Sequence, residues 1–262
     1  MTRIYTFVNQ KGGVGKTTTA INLGAYLAQF GQRVLIVDLD PQANATSSLG
    51  VDKNTVSGST YEVLLGSLPP DTLPLRNERL GLSILPSSPA LAGAEVELVN
   101  ELARENRLKQ AMDKLDGRYD YILIDCPPSL GLLTVNGLAA ARDGVVIPVQ
   151  CEYLALEGLG QLTQTINRVR AALFPDLKVR GVVLTMFDSR ANLSSDVVKE
   201  VNQHFPKQTF HAVIPRSIRL AEAPSYGLPI SAYAPTSAGA KAYEALAREL
   251  LAGDGVKVAN PK

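Results

Sequence analysis

The decapeptide Asn9-Gln10-Lys11-Gly12-Gly13-Val14-Gly15-Lys16-Thr17-Thr18 constrains this chain more than any other stretch. It follows the apolar run Ile4 to Val8 and precedes a helix-like segment from Thr18 to Gln29. Strand, glycine-rich loop and helix, in that order, are what a phosphate-binding loop requires. Glycines let the backbone wrap closely, so that several N–H groups converge on phosphate oxygens, and the helix adds its positive N-terminal end. Gly12, Gly13, Val14, Gly15 and Thr18 then line the phosphates. Lys16 sits on the β- and γ-phosphates and the Thr17 hydroxyl on Mg²⁺.

Two acidic segments complete such a site. One reads Val37-Asp38-Leu39-Asp40-Pro41-Gln42. Carboxylates just past the carboxyl end of a buried strand lie at the ligand edge of a sheet. Asp40 is therefore placed to orient a water or to support Mg²⁺ through water, although alone it also reads as a turn aspartate before proline. The other segment is Tyr121-Ile122-Leu123-Ile124-Asp125-Cys126-Pro127-Pro128. An apolar strand ending in aspartate is a Walker B pattern, so Asp125 reaches Mg²⁺, through water. Its prolines and Ser129-Leu130-Gly131 make a stiff loop suited to responding to a γ-phosphate.

Short continuous apolar runs recur at Val34 to Val37, Ile122 to Ile124, Val145 to Val149 and Val182 to Leu184. They do not alternate with polar residues, as expected of parallel strands buried on both faces. Helical spacing lies between them, most clearly at Leu156, Leu159, Leu162, Ile166, Val169 and Leu173, and again from about Ala94 to Leu115. The pattern predicts an α/β fold: a doubly wound, mostly parallel sheet flanked by helices. Residues 1–251 read as one domain closed by a helix from about Ala238 to Leu251. Residues 252–262 read as a disordered tail, and the Ser-, Pro- and Gly-rich stretch from Val51 to Pro89 as peripheral.

Composition narrows the function classes. The chain has 262 residues, 45% hydrophobic and 19% charged, enough for a large core without staples. Cys126 and Cys151 form no C-x-x-C pair and read as small buried hydrophobes of a cytosolic protein. His204 and His211 form no metal cluster. There is no apolar signal core and no membrane-length apolar run, so neither export nor membrane spanning is expected. Net charge is +1, but residues 178–219 carry seven basic against three acidic side chains. Charge alone reads that excess as a solvated face.

The phosphate loop departs from the usual pattern. Gln10 stands where glycine is common, and Lys11 adds a second lysine. A cation there is unfavourable beside Lys16 unless an anion neutralises it. In this the chain resembles the deviant Walker A ATPases, whose loop reads K-G-G-x-G-K-T. Asn9 to Thr19, Asp38 to Asn44, Asp125 to Leu133, Pro148 to Gly158 and Ile214 to Pro229 extend the resemblance to the chromosomal ParA/Soj partitioning branch of the MinD/ParA superfamily. It covers about residues 1–250.

The resemblance implies an ATPase with ATP and Mg²⁺ as cofactors. It implies an ATP-dependent homodimer in which Lys11 reaches the γ-phosphate side of the partner's ATP, with Lys11, Lys16 and Asp40 catalytic. Asp38 matches a second acidic position of less defined role. Adenine is expected near Met186, Pro215 and Ser217, although Met186 alone reads as core. Arg190 and Arg219 match DNA-contacting positions, with Arg216 and Lys199 in the same basic stretch. Expected partners are non-specific double-stranded DNA and a ParB/Spo0J-type centromere-binding protein, in the cytoplasm on the nucleoid, with no membrane. The alternatives are a MinD-like membrane-associated positioning ATPase, a cargo-positioning relative, a nitrogenase-like iron protein, a metabolic P-loop ligase and a binding module with a dead nucleotide site.

Overall fold

Six parallel strands and one antiparallel edge strand form a single sheet in the computed structural model, which describes residues 1–153 and 155–257. In chain order the elements are β1 (Arg3–Phe7), α1 (Lys16–Gln29), β2 (Val34–Asp38), α2 (Asn44–Ser48), α3 (Thr60–Leu65), β3 (Leu75–Asn77) and β4 (Leu82–Leu85). Then come α4 (Leu91–Glu97), α5 (Arg107–Asp113), β5 (Tyr121–Asp125), α6 (Leu132–Ala140), β6 (Gly144–Gln150) and α7 (Ala155–Ala172). The chain continues through β7 (Val179–Thr185), α8 (Asn192–His204), α9 (Ile218–Glu222), α10 (Ile230–Tyr233) and α11 (Ala238–Gly253). Strand order is β3-β4-β2-β5-β1-β6-β7, and only β3 runs against its neighbour.

Alternation within the strands explains the unbroken apolar runs. Leu35, Val37, Ile122 and Ile124 pack on one face, under residues of α3 through α8. Val34, Ile36, Tyr5, Phe7 and Leu123 pack on the other, chiefly under Leu23 and Leu27 of α1 and Tyr243, Leu246 and Leu250 of α11. Both faces are dry, so both side-chain sets are apolar. The doubly wound fold is as expected, and α7 buries Leu159, Leu162 and Ile166 as its spacing predicts.

Three local expectations are corrected. The segment from Ala94 to Leu115 is not one helix. The α4 helix ends at Glu97, two short 3₁₀ turns follow, Ala103 takes a left-handed φ of 53°, and α5 starts at Arg107. Leu98, Leu108, Ala111 and Leu115 all reach the same core, so the apolar spacing survives the breaks. Within Val51 to Pro89, Leu82–Leu85 is fully buried and pairs with Leu35–Val37. Four residues between a glycine and a proline are too few to show a period.

The third correction is at the C-terminus. The α11 helix runs to Gly253, and the Asp254 side chain is 3% exposed. Asp254 accepts hydrogen bonds from the hydroxyls of Tyr5 (2.7 Å) and Tyr121 (3.0 Å) and from Arg180 Nη2 (3.1 Å). The expected tail is thus pinned to the sheet at Asp254, and residues 258–262 lie outside the described residues. Parallel strands also bring the carboxyl ends of β1, β2, β5, β6 and β7 to one edge, the edge where α/β sheets hold ligands.

Candidate functional site

The loop between β1 and α1 turns through left-handed φ angles at Gly13 (75°) and Gly15 (89°), which only glycine adopts without strain. Gly15 is the N-cap of α1 and offers no side chain, so the first N–H groups of a 14-residue helix are left for an anion. The loop is held from behind. Thr185 Oγ1 donates to the Val14 carbonyl (2.9 Å), Asn9 Nδ2 to the Pro148 carbonyl (2.8 Å) and Thr19 Oγ1 to the Gly15 carbonyl (2.7 Å). Tyr243 Oη of α11 lies 3.2 Å from Thr19 Oγ1 and braces the loop from the last helix. Lys16 is 6% exposed. Burial pushes its ammonium below the usual lysine range, while Asp125, Cys126 and Asp40 pull it back.

Asp38 and Asp125 sit side by side in register at the ends of β2 and β5, both fully buried. Their surroundings differ. Asp38 accepts from Thr46 N (2.8 Å), Thr46 Oγ1 (2.7 Å) and Asp40 N (3.2 Å). Burial raises its carboxyl to about 6 against those bonds, which lower it. Asp38 therefore organises the loop that carries Asp40. Neither Asp125 oxygen makes a hydrogen bond. Burial, and then the charge of Asp38, drive the Asp125 carboxyl well above the usual carboxylate range; the Thr17 hydroxyl and Lys16 pull it down.

A buried carboxylate without a partner beside a phosphate loop fits a hydrated Mg²⁺. Among the described residues no three His, Cys, Asp or Glu side chains converge into a metal cage. Mg²⁺ suits such a place, because it keeps waters and draws ligands from substrate phosphates. Asp40, 7% exposed, accepts from Gln42 N (2.9 Å), and its carbonyl accepts from Ser87 Oγ (2.8 Å). A cleft of about 410 Å³ brings Lys16, Thr17, Asp40 and Pro128 together.

An adjoining cavity of about 300 Å³ shares Gly15, Thr18 and Met186 with the cleft. Met186, Pro215, Ser217 and Tyr243 wall it, so the three residues expected around a base do converge. Met186 holds a φ of 52°, an uncommon conformation for a side-chain-bearing residue and one that concentrates at ligand sites. The chain leaves this wall directly for the basic rim. Arg216 N donates to the Phe187 carbonyl (2.9 Å), tying the Arg190 loop to the segment that carries Arg216 and Arg219. Lys199 lies farther along α8.

The rim cations are exposed and mostly paired. Arg190 is bonded to Asp188, Arg219 to Glu222 at 3.0 Å and Lys199 to Asp196 at 3.5 Å. Lys11 forms an ion pair with Glu152, in the turn after β6. A second cavity of about 410 Å³, bordered by Lys109, Arg142 and Phe174, touches none of these residues. Sequence reasoning gave no side-chain role to Asn9, Thr46, Ser87, Thr185, Tyr243 or Glu152, although Asn9 lies in the loop motif itself. Each acts through a partner distant in the chain or through a backbone carbonyl, and single polar side chains carry no periodic signal.

Known proteins resemble this chain along nearly its whole length. The family model described as an AAA domain matches residues 2–179. The chromosome partitioning protein ParA of Myxococcus xanthus is 55% identical over 255 residues, 97% of this chain and 90% of that protein. The sporulation initiation inhibitor protein Soj of Bacillus subtilis is 52% identical over 252 residues, 96% of this chain and 99% of that one. A crystal structure described as cobyrinic acid a,c-diamide synthase from Mycobacterium smegmatis, with bound ATP analog and magnesium, superposes with a TM-score of 0.85 at 42% identity, covering 100% of both chains.

Proposed function

The chain belongs to the ParA/Soj family of chromosome-partitioning ATPases, and from that premise we propose that it is an ATP-switched, sequence-independent DNA-binding protein. It is an ATPase with ATP and Mg²⁺ as cofactors. In this reading the N–H groups from Gly12 to Thr18 and the Lys16 ammonium hold the phosphates, and Met186, Pro215 and Ser217 hold the base. The Thr17 hydroxyl and Asp125, the latter through water, would hold Mg²⁺, which when bound neutralises charge on the phosphates. Asp40 orients the attacking water. Lys11 leaves Glu152 to reach the ATP of a second protomer, an arginine-finger role taken by lysine.

One observation carries the DNA half of the reading. The two segments that wall the base cavity, from Met186 and from Ile214, present Arg190, Arg216 and Arg219 within a few residues. A dimer doubles that patch, and arginine contacts to phosphate give affinity without reading sequence. A ParB-type partner then stimulates hydrolysis and the protomers leave the nucleoid.

The deciding experiment is duplex DNA binding with ATP, ADP and no nucleotide at two salt concentrations. Binding only with ATP, lost as salt rises and weakened by Arg219→Ala, is the expected result. An ATP-bound dimer that ignores DNA would remove this reading and leave the ATPase intact.

Two observations bear on other readings. The α11 helix packs Tyr243, Leu246, Leu250 and Leu251 into the core, so that face is not free for a membrane; liposome flotation tests this. No helix among the described residues is long and apolar enough to cross one. The Mycobacterium smegmatis description favours a ligase, for which ATP-dependent amidation of cobyrinic acid, followed by mass, is the test. Both thiols here are buried, which raises Cys151 to about 11 and Cys126 well above its usual range.

A further inference from the structure

Three of the rim cations face carboxylates of their own segments. At Asp188, Oδ1 accepts from Arg190 N (3.0 Å) and Nε (2.9 Å), and Oδ2 accepts from Nη2 (2.7 Å). That engages the forked side of the guanidinium, the side that grips a phosphate in bidentate fashion. The Arg190 side chain is 87% exposed and that of Asp188 only 26%. At Glu222, Oε2 accepts from Arg219 Nη1 (3.0 Å) and from the Tyr233 hydroxyl (3.0 Å). Tyr233 is in turn stacked on Tyr226, with ring centroids 4.9 Å apart. Arg216, exposed between them, makes no ion pair among the described residues.

Each carboxylate thus has a second donor that remains when the arginine turns away. For Asp188 it is the Arg190 backbone N–H, and for Glu222 it is the Tyr233 hydroxyl. The negative charges stay at the rim while the arginines are free to leave. Exposed pairs of this kind add little to folding stability, so stability does not explain their placement. They weigh on polyanion binding instead, because like charge beside a contact disfavours it.

We propose that Asp188 and Glu222 are fixed electrostatic gates on the DNA rim, holding a single protomer's affinity for phosphate backbone low so that binding needs the doubled patch of a dimer. This rests on the DNA-binding reading above. It predicts that the arginines alone do not set the nucleotide dependence; the carboxylates beside them do. Hydrogen bonds from the Arg190 side chain and backbone, and then the charges of Arg190 and Arg216, hold the Asp188 carboxyl well below the usual range, so the gate remains charged at neutral pH.

The test is fluorescence anisotropy of a labelled random-sequence duplex with wild type, Asp188→Asn, Glu222→Gln and the double variant, each with ATP and with ADP. The amides keep an acceptor for Arg190 N–H and the Tyr233 hydroxyl, and thermal melting checks the fold. The expected result is tighter binding, on the order of tenfold for the double variant at low salt, with measurable binding in ADP. The slope of log K against log salt steepens by about 0.9 for each phosphate newly gripped. Tyr233→Phe, which leaves both charges and only releases Glu222, gives a smaller gain in the same direction. Wild type that binds with ATP, beside amide variants that bind no more tightly than it does and still not in ADP, would overturn the gate alone and make the carboxylates mere positioning groups. Wild type that hydrolyses ATP yet never binds DNA would overturn the DNA reading and the gate with it.

Discussion

Lys11 of the phosphate loop is ion-paired with Glu152, 141 residues away in sequence, instead of reaching into the phosphate cleft. The neutralising anion that a second lysine in this loop requires is supplied, in the lone protomer, by the turn after β6. Any role for Lys11 at a partner's ATP begins with breaking that pair. Both side chains are more than a third exposed, so the pair contributes at most about 1 kcal/mol. Two such pairs break per dimer, so Glu152→Gln should let the ATP-bound dimer form at up to about thirtyfold lower protein concentration, read by sedimentation with a non-hydrolysed analogue. An unchanged dimerisation midpoint would mean that Glu152 does not hold Lys11 back.

Lys16→Ala should abolish ATP binding, because no other side chain in the cleft brings a buried cation to the phosphates. Asp40→Ala should bind nucleotide normally and lose turnover by about 10²- to 10⁴-fold, the usual contribution of a positioned acid or base. Calorimetric binding and single-turnover hydrolysis separate the two. Normal turnover in Asp40→Ala would take the water-orienting role away from that residue.

Asp125 is buried with neither oxygen bonded, so its ionised form is costly until a cation arrives. Asp125→Asn should raise the melting midpoint of the nucleotide-free protein by a few degrees. The same variant should lose the added stabilisation that Mg²⁺ gives in the presence of ATP. Scanning fluorimetry with and without Mg²⁺ reads both. A lower midpoint in the nucleotide-free variant would show that Asp125 is satisfied by other means.

Asp254 fastens the last helix to the sheet through Tyr5, Tyr121 and Arg180. Burial, with Asp254 adding to it, holds both phenols above their usual range, so these hydroxyls stay protonated donors. Asp254→Ala takes the carboxylate acceptor from Tyr5, Tyr121 and Arg180, leaving Arg180 the Leu250 carbonyl (3.3 Å), and should cost roughly 3–5 kcal/mol, as when one partner of a buried pair is removed. Urea unfolding measures it. A loss within about 0.5 kcal/mol would return this end of the chain to a dispensable tail.

The phosphate loop was legible because its information is local. Left-handed turns at Gly13 and Gly15 need glycine, and an uncapped helix start needs an anion, whatever surrounds them. The strands were legible because a sheet buried on both faces tolerates no polar residue for several positions. The β4 strand and the break at Ala103 were not, since four residues show no period and an apolar spacing continues across a turn if both sides reach the same core.

By itself, then, the sequence determined the doubly wound fold, the phosphate loop and the strand ends that carry Asp40 and Asp125. These follow from backbone conformation and side-chain burial within single short segments. Only the tertiary structure decided that Asp38 is spent on Thr46 while Asp125 is left without a partner. It alone paired Lys11 with Glu152 and pinned Asp254 beneath two tyrosines. Electrostatics and hydrogen bonding depend on which groups meet in space, and those partners lie from eight to more than two hundred residues apart in the chain.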